Sequence, residues 1–382
     1  MPSPFLLPVL ALAVCMVGAA EFMLAPMLAP LASAFNTSAA HASGLVSAYA
    51  LSYAAAAPLM GWLSDRAGRR KVLLAAMLLF AADSTALTLV PTLQAAMALR
   101  ILGGLAAAAT IPTVFALIAD RIEPAKQAGA MGGVMLGMTA GIAAGPAVAG
   151  LLAEAWGWRA PFLVISVSCL AAFGAGRRVI PRDLPRTCAT EDLTSNKKAS
   201  GGIFRLLLAK GAWNGSAVAG YVFAGEVLRM RYGLELGAVG IAVSVFGLGL
   251  GIGNMLAGHA SRRDWREENT LVMATIVVAA SMTLFLTAAM GLPAALGCLL
   301  TWGAALGIAA PASTAILARR AGAHKGKVLA VSESVNNVAV LMLLPVAASA
   351  SATYGVTPAA ALLGGICLTG AIVSATVRHR QF

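Results

Sequence analysis

The chain has 382 residues, of which 59% are hydrophobic and only 11% charged, and its net charge is +12 at pH 7. A soluble domain carries about 25% charged residues, so this composition excludes a soluble enzyme, a disordered chain and a disulfide-stabilised secreted module. Twelve membrane spans of about 20 residues would occupy about 240 residues, which this length accommodates with short loops. The five cysteines have neither metal-ligand nor redox spacing, and we expect no metal and no cofactor.

Apolar segments recur along the whole chain and predict an all-α membrane protein with twelve transmembrane helices in two six-helix halves. The segments are residues 5–32, 42–63, 72–91, 93–118, 128–153, 160–176, 208–228, 237–258, 270–290, 292–317, 328–350 and 357–377. The first has no basic start and is too long for a signal peptide, so we interpret it as a retained span. The polar stretch 177–207 is predicted to be a cytoplasmic linker, with a short surface helix near 203–208, between an N-terminal half (1–176) and a C-terminal half (208–382).

The distribution of basic residues predicts the orientation in the membrane. If the N-terminus is cytoplasmic, 23 of the 27 Lys and Arg residues lie on the inside and 3 on the outside, with Arg100 inside a span. This bias predicts a multi-pass protein of the bacterial inner membrane with both termini in the cytoplasm. The basic loops would face the anionic headgroups of the lipid bilayer, so the net charge requires no nucleic acid.

The loop after the second span reads GWLSDRAGRRK, from Gly61 to Lys71. It resembles at every position the G-x-x-x-D-R-x-G-R-R loop of the major facilitator superfamily, whose two six-span halves match the predicted layout. Gly68 would permit a tight turn. The resemblance implies a conformational latch that supports the outward-open state, in which Asp120, at the end of span 4, pairs with an Arg of the loop. The residues assigned to this latch are Gly61, Asp65, Arg66, Gly68, Arg69, Arg70 and Asp120. An exposed ion pair contributes less than about 1 kcal/mol, so a working latch requires partial burial.

Two charged residues lie deep in the spans of the first half. Helix rise places Arg100 about 10 Å and Glu21 about 15 Å below the outer surface. A charge at this depth is costly unless it is paired or faces water, so we expect Arg100 in the central cavity, with an interfacial, snorkelling side chain as the alternative. The Arg100 segment resembles the span-4 motif of the superfamily, with Gly103 in place of the usual Gln before Gly104. The Glu21 segment resembles span 1 of proton-coupled drug and sugar exporters, which implies a proton carrier, and a static ion pair is the alternative.

Span 5 resembles the antiporter motif G-x8-G-x3-G-P-x2-G-G, with Ala149 in place of one Gly. The matching residues are Gly132, Gly141, Gly145, Pro146 and Gly150. Such a row of small residues predicts a groove for close helix contact together with a proline kink. The resemblance implies an exporter or exchanger.

The second half departs from the family pattern. Arg262 stands where a copy of the loop would have Asp, so we expect no intact second latch.

Asp83 in span 3 and Glu333 in span 11 are further polar groups within spans. We interpret them as packed or interfacial groups, with substrate or proton binding as the alternative.

The cavity between spans 1, 4, 7 and 10 is expected to bind the substrate. Its predicted lining residues are Phe22, Met23, Met27, Phe115, Tyr221, Phe223 and Trp302. Methionine and aromatic side chains suit amphipathic organic compounds, although they also serve as packing.

We predict a monomeric secondary transporter that exports a small organic compound, drug-like, sugar or metabolite, in exchange for protons. A proton-coupled importer of a metabolite or siderophore is the alternative. A membrane enzyme is disfavoured because no nucleophile elbow or metal-ligand cluster is found, and a channel because two halves with proline-containing spans suit alternating access.

Overall fold

The computed structural model describes residues 4–181, 200–260, 267–322 and 325–376, and within these ranges the regular structure is helical. The helices are α1 Leu6–Phe22, α2 Leu24–Ala34, α3 Ala39–Ala42, α4 Gly44–Ala67, α5 Arg69–Leu87, α6 Leu93–Arg121, α7 Pro124–Trp156, α8 Ala160–Val179, α9 Ser200–Tyr232, α10 Leu236–Ala260, α11 Glu267–Thr287, α12 Leu292–Ala321, α13 Lys325–Tyr354 and α14 Val356–Thr376.

These helices form twelve membrane spans. Helices α1 and α2 meet at a 54° bend and together make span 1, and α4 to α14 make spans 2 to 12. Within the described ranges, eight helices are long and apolar enough to cross a bilayer, or nine with the bent pair counted as one span. The other three spans, α4, α5 and α9, contain charged residues, among them Asp65, Asp83 and Lys210, which lower their mean hydropathy. The all-α, twelve-helix prediction is confirmed.

The junction between the halves differs from the prediction. Helix α9 begins at Ser200, so residues 200–207 extend span 7 instead of forming a separate surface helix. Residues 182–199 of the predicted linker lie outside the described residues. Lys210, which the charge count assigned to the basic side, is buried inside α9 at 4% exposure. Without Lys210, the predicted distribution of Lys and Arg is 22 on the inside and 3 on the outside, so the bias toward the inside remains.

The most extensive contacts between the halves are those of α2 with α9, α4 with α13, and α7 with α10. Small residues allow the closest approaches, because a Cβ at Gly225 of α9 would collide with the backbone at Ala25 of α2. The main apolar core continues across this interface, and a second cluster fills the first half beside α1, α6 and α7. We call the membrane face that carries Arg69, Arg121 and Arg319 the basic face, and the other the opposite face.

Candidate transport site and latch

The predicted latch residues meet at the basic face. Gly68 is the single residue between α4 and α5 and has a φ of +98°, a left-handed value that glycine adopts without a steric penalty. This turn directs Arg69 toward both neighbouring helices. Its guanidinium lies 3.2 Å from the Asp65 carboxylate and 2.6 Å from the Asp120 carboxylate, and it also donates to the Ala116 carbonyl. The Arg69 side chain is only 13% exposed, which meets the requirement for partial burial.

The other residues of the loop occupy the same region. Arg70 donates a hydrogen bond of 2.6 Å to the carbonyl of Arg177, which joins the start of α5 to the end of α8. Arg66 is exposed near the end of α4. Gly61 lies within α4, but its packing lies outside the described residues. All of the contacts named here stay within the first half.

The second half carries an ion pair at the equivalent helix ends. Arg319, at the end of span 10, lies 2.5 Å from the Glu267 carboxylate and 3.1 Å from the Glu268 carboxylate, both at the start of span 9. In the first half, spans 3 and 4 contribute the Arg and the Asp in the opposite order. The expectation of no intact second latch was drawn from Arg262, which lies outside the described residues. The described part of the second half therefore has a pair with exchanged charges, and the loop pattern could not reveal it.

Arg100 makes its ion pair with Asp83 of α5. The two side chains are 1% and 0% exposed, and Nη1 of Arg100 lies 3.3 Å from Oδ2 of Asp83. The guanidinium also lies over the ring of Tyr49 of α4, 4.8 Å from its centroid. Arg100 is therefore buried within the first half and does not snorkel to the interface. Sequence reasoning missed Asp83 as its partner, although helix rise places the two within about one turn of the same depth.

Glu21 lies beside the break in span 1. It is the last residue but one of α1, and α2 starts after Met23 with Pro26 in its first turn. Pro26 has no N–H, so it cannot donate to the carbonyl of Phe22, and this explains why the helix breaks here. The Glu21 carboxylate makes no hydrogen bond or ion pair with the described residues, but it lies within electrostatic range of Arg100 and Glu333.

A second ion pair crosses the second half inside the membrane. Nζ of Lys210 lies 3.5 Å from Oε1 of Glu333 and 3.5 Å from Oγ1 of Thr314. Lys210 is 4% exposed, whereas the Glu333 side chain is 50% exposed. Glu333 therefore combines a buried partner with an accessible surface, and it was not recognised as an ion-pair residue from the sequence.

The small residues of the antiporter motif serve two interfaces. A Cβ at Gly141 would collide with the backbone of α1, and a Cβ at Gly145 would lie 2.8 Å from Cα of Ala19 in the same helix. Gly150 instead faces α10, where a Cβ would lie 2.9 Å from Cα of Gly240. The motif thus packs α7 against span 1 of its own half and against span 8 of the other half.

Two positions of the motif behave differently from the rest. Gly132 faces open space, since a Cβ there would meet no described heavy atom within 4 Å. Pro146 lies inside the continuous helix α7, and the groove continues past it to Gly150. The next residue, Ala147, donates its backbone N–H to Oγ of Ser244 in α10 at 2.9 Å. A backbone bond of this kind ties the two halves together beside the proline.

The predicted cavity residues fall into separate groups. Phe22 and Tyr221, from opposite halves, have ring centroids 5.2 Å apart, and Phe246 joins them to Trp302. We call Phe22, Tyr221, Phe246 and Trp302 the aromatic cluster. The hydroxyl of Tyr221 and the indole N–H of Trp302 are buried without a hydrogen-bond partner among the described residues.

The remaining predicted cavity residues are packed elsewhere. Met23 and Met27 are buried in the main core at 2% and 0% exposure. Phe223 packs against the same core and is partly buried. Phe115 belongs to the second cluster of the first half, apart from the aromatic cluster.

Comparison with known proteins decides the family. The profile of the Major Facilitator Superfamily matches residues 10–233 and 211–381. The chain belongs to the major facilitator superfamily. A chloramphenicol resistance protein of Streptomyces lividans is 33% identical over 273 residues, which cover 69% of this chain and 68% of the relative. A multidrug resistance protein B homolog of Mycobacterium tuberculosis is 30% identical over 151 residues, which cover 40% of this chain and 28% of the relative.

The solved structures show the same fold. The D-xylose-proton symporter superposes with a TM-score of 0.81 at 17% identity, covering 96% of each chain. In a transporter of this superfamily the substrate path lies near the midplane between the two halves. Membership of this superfamily makes the chain a multi-pass membrane transporter. The aromatic cluster spans the two halves, since Phe22 contacts Tyr221 and Phe246, and Glu21 lies within electrostatic range of Glu333 of the other half.

Proposed function

We propose that this protein exports small amphipathic organic compounds in exchange for protons, by alternating access. The observation that supports this most directly is the position of Glu21. An intramembrane carboxylate without a counter-ion is costly and marks a substrate or proton path. Glu21 lies at a helix break, and helix rise places it about 15 Å below the outer surface. Discontinuous helices of transporters form binding sites at this kind of depth.

The aromatic cluster supports an organic substrate. Flat apolar rings with a few polar atoms favour compounds that are themselves apolar and carry hydrogen-bonding groups. The buried Tyr221 hydroxyl and Trp302 indole N–H provide such polar atoms. Since Phe22 belongs to one half and Tyr221 to the other, movement of the halves would open and close this cluster. Substrate binding and conformational change would then be coupled.

The direction of transport is supported by the relatives and by the motif in α7. Relatives named for chloramphenicol and multidrug resistance favour export. The antiporter motif, whose glycines join α7 to α1 and α10, favours exchange. The basic face would be the cytoplasmic one, in the bacterial inner membrane, because loops rich in Lys and Arg remain on that side.

A proteoliposome experiment tests the proposal. Purified protein is reconstituted with an imposed pH gradient, and the movement of radiolabelled chloramphenicol and of a panel of lipophilic dyes is followed together with an internal pH probe. We expect a compound to accumulate on the acidic side while protons move the other way. Glu21→Gln should abolish accumulation but allow exchange down a gradient, whereas the matched variant Glu226→Gln, in a surface ion pair with Arg229, should behave as wild type.

Two results would contradict proton-coupled export, and a third would contradict the role of Glu21. Compound movement that is independent of the pH gradient would exclude proton coupling. Accumulation in the same direction as the protons would instead support the importer of a metabolite or siderophore. Full coupling in Glu21→Gln would show that another group carries the proton.

A further inference from the structure

The pair of Arg100 and Asp83 uses only a small part of its hydrogen-bonding capacity. A guanidinium and a carboxylate form two parallel bonds in their strongest arrangement. Here a single contact of 3.3 Å joins them. Nε and Nη2 of Arg100, Oδ1 of Asp83 and the hydroxyl of Tyr49 are all buried without a partner among the described residues. A permanent structural ion pair buried this deeply would be expected to satisfy these atoms.

A glycine makes the pair possible. A Cβ at position 103 would collide with Oδ2 of Asp83 and lie 3.1 Å from its Cγ. Gly103 is also the position at which this chain departs from the superfamily's span-4 pattern. The missing side chain leaves the space that the Asp83 carboxylate occupies beside Arg100.

Arg100 has a second carboxylate within its range. Glu21 makes no ion pair with the described residues, and it interacts electrostatically with both Arg100 and Tyr49. The Tyr49 ring lies under the guanidinium. A flat ring can support a guanidinium that rotates in its plane, since the cation–π contact does not depend on which N–H points where.

We infer that Arg100 serves two carboxylates in turn, holding Asp83 in the present arrangement and transferring to Glu21 when Asp83 takes up a proton. This inference rests on the proposed proton coupling and adds Asp83 as a second proton-binding residue. A hydronium ion gives its proton to Asp83 and leaves as water. Protonated Glu21 gives its proton to water, which leaves as hydronium, and Arg100 remains charged throughout.

The charged and titratable groups around the two carboxylates allow this exchange. Asp83 faces Arg100 of α6, Tyr49 of α4 and the buried thiol of Cys169 of α8. These are the titratable groups that interact with it from the described helices packed on α5, and Arg100 is the only cation among them. Glu21 faces Arg100 together with Glu333, Tyr49 and Tyr53. Arg100 therefore contacts Asp83 and lies within electrostatic range of Glu21.

Infrared titration of the full-length protein in lipid tests the inference without a substrate. The carbonyl stretch of a protonated carboxylic acid is followed against pH in wild type, Asp83→Asn and Glu21→Gln. Each variant releases Arg100 to the remaining carboxylate. The band that remains should therefore move to lower pH by about one unit or more, because a nearby guanidinium favours the ionised form. Glu226→Gln should leave both bands in place.

A third variant keeps both carboxylates. Gly103→Ala should push Asp83 away from Arg100 and move the Glu21 band to lower pH, as Asp83→Asn does. Gly174→Ala, at a glycine of α8 that faces open space and to which no transport role is assigned, is its matched control. If Asp83→Asn does not fold, the band shifts of Glu21→Gln and Gly103→Ala still show whether Arg100 moves between the two carboxylates.

Unchanged bands in Glu21→Gln and Gly103→Ala would overturn the inference and leave Asp83 and Arg100 a static pair. This outcome differs from failure of the proposed function, which is measured as the absence of proton-driven accumulation by the wild-type protein. Each result can be obtained without the other.

Discussion

The carboxylate of Glu154, near the end of α7, accepts a hydrogen bond of 2.5 Å from the backbone N–H of Gly237 at the start of α10. Glu154 belongs to the first half and Gly237 to the second, so the bond joins the halves at the opposite face. A carboxylate at a helix N-terminus also interacts favourably with the free N–H groups there. The latch around Arg69 lies at the basic face and stays within the first half.

This geometry predicts that Glu154 stabilises closure of the opposite face. Glu154→Ala removes the bond, and because the carboxylate is exposed we expect a loss of about 1 kcal/mol, roughly a fivefold change in the ratio of closed to open molecules. Double electron–electron resonance between spin labels at Leu89 and Tyr354, exposed residues of the two halves at this face, measures the ratio. An unchanged distance distribution would show that the bond does not affect closure.

The latch residues make a second prediction. Arg69 holds the ends of α4, α5 and α6 together, and α4 packs against α13 of the other half. Loosening of this end should therefore weaken the contact between the halves. Asp65→Asn and Asp120→Asn should leave the fold intact, slow transport and shift spin-label distances at the basic face toward the open state. The effect should be larger for Asp120, whose carboxylate lies 2.6 Å from Arg69 and is 30% exposed, than for Asp65, which is 63% exposed. Full transport by both variants would exclude a latch function.

The proposed orientation gives a third prediction. Cys188 lies in the polar stretch between the halves, outside the described residues. A variant that retains Cys188 as its single cysteine should react with a membrane-impermeant maleimide in inverted vesicles and not in intact cells. A single cysteine introduced at Leu89 should give the reverse result, because it is exposed at the opposite face. Labelling of Cys188 in intact cells would invert the assignment of the basic face to the cytoplasm.

The elements that sequence reasoning predicted share a physical basis. Hydropathy determines which segments enter a bilayer, so the twelve spans could be predicted from the apolar segments along the sequence. The turn at Gly68 had a signal in the sequence, because glycine permits a tight turn between two spans. The pairing of Asp120 with an Arg of the loop was implied by the resemblance to the superfamily, since the sequence alone shows only opposite charges at the same membrane face. The break in span 1 had a signal in Pro26, which removes a helix hydrogen bond, but a proline in a span does not by itself determine the size of a bend.

The pairings inside the membrane could not be predicted in this way. Hydropathy does not determine the rotation of a helix about its axis, and a span surrounded by lipid and protein has apolar residues on all sides. Asp83 was therefore a polar group without an assigned partner. Lys210 was counted with the basic residues of the central loop, although it lies within the predicted span 208–228. The helix packing turns it inward to Glu333 instead.

That inward pairing gives the last prediction, which concerns stability. Lys210 is 4% exposed, and the Glu333 carboxylate and the Thr314 hydroxyl are its partners, each at 3.5 Å. Glu333→Gln leaves a buried ammonium without a counter-ion, and removal of one partner of a buried pair costs about 3–5 kcal/mol. Because the Glu333 side chain is half exposed, we expect about 1–3 kcal/mol, a decrease in the melting temperature of several degrees. Lys210→Met combined with Glu333→Gln should recover most of the loss, since methionine fills the same space without a charge.

The surface pair of Lys126 and Glu123 is the matched control for this experiment. It is shorter, at 2.8 Å, but both side chains are 73% exposed. Lys126→Met and Glu123→Gln, alone and together, should each change stability by less than about 0.5 kcal/mol. Thermal unfolding of these five variants and of Lys210→Met alone, in one detergent, gives the two coupling free energies. If burial governs the strength of the pair, the long pair inside the membrane should show a large coupling and the short surface pair almost none. Equal couplings, or a Glu333→Gln variant as stable as wild type, would mean that water entering beside the exposed carboxylate already solvates Lys210.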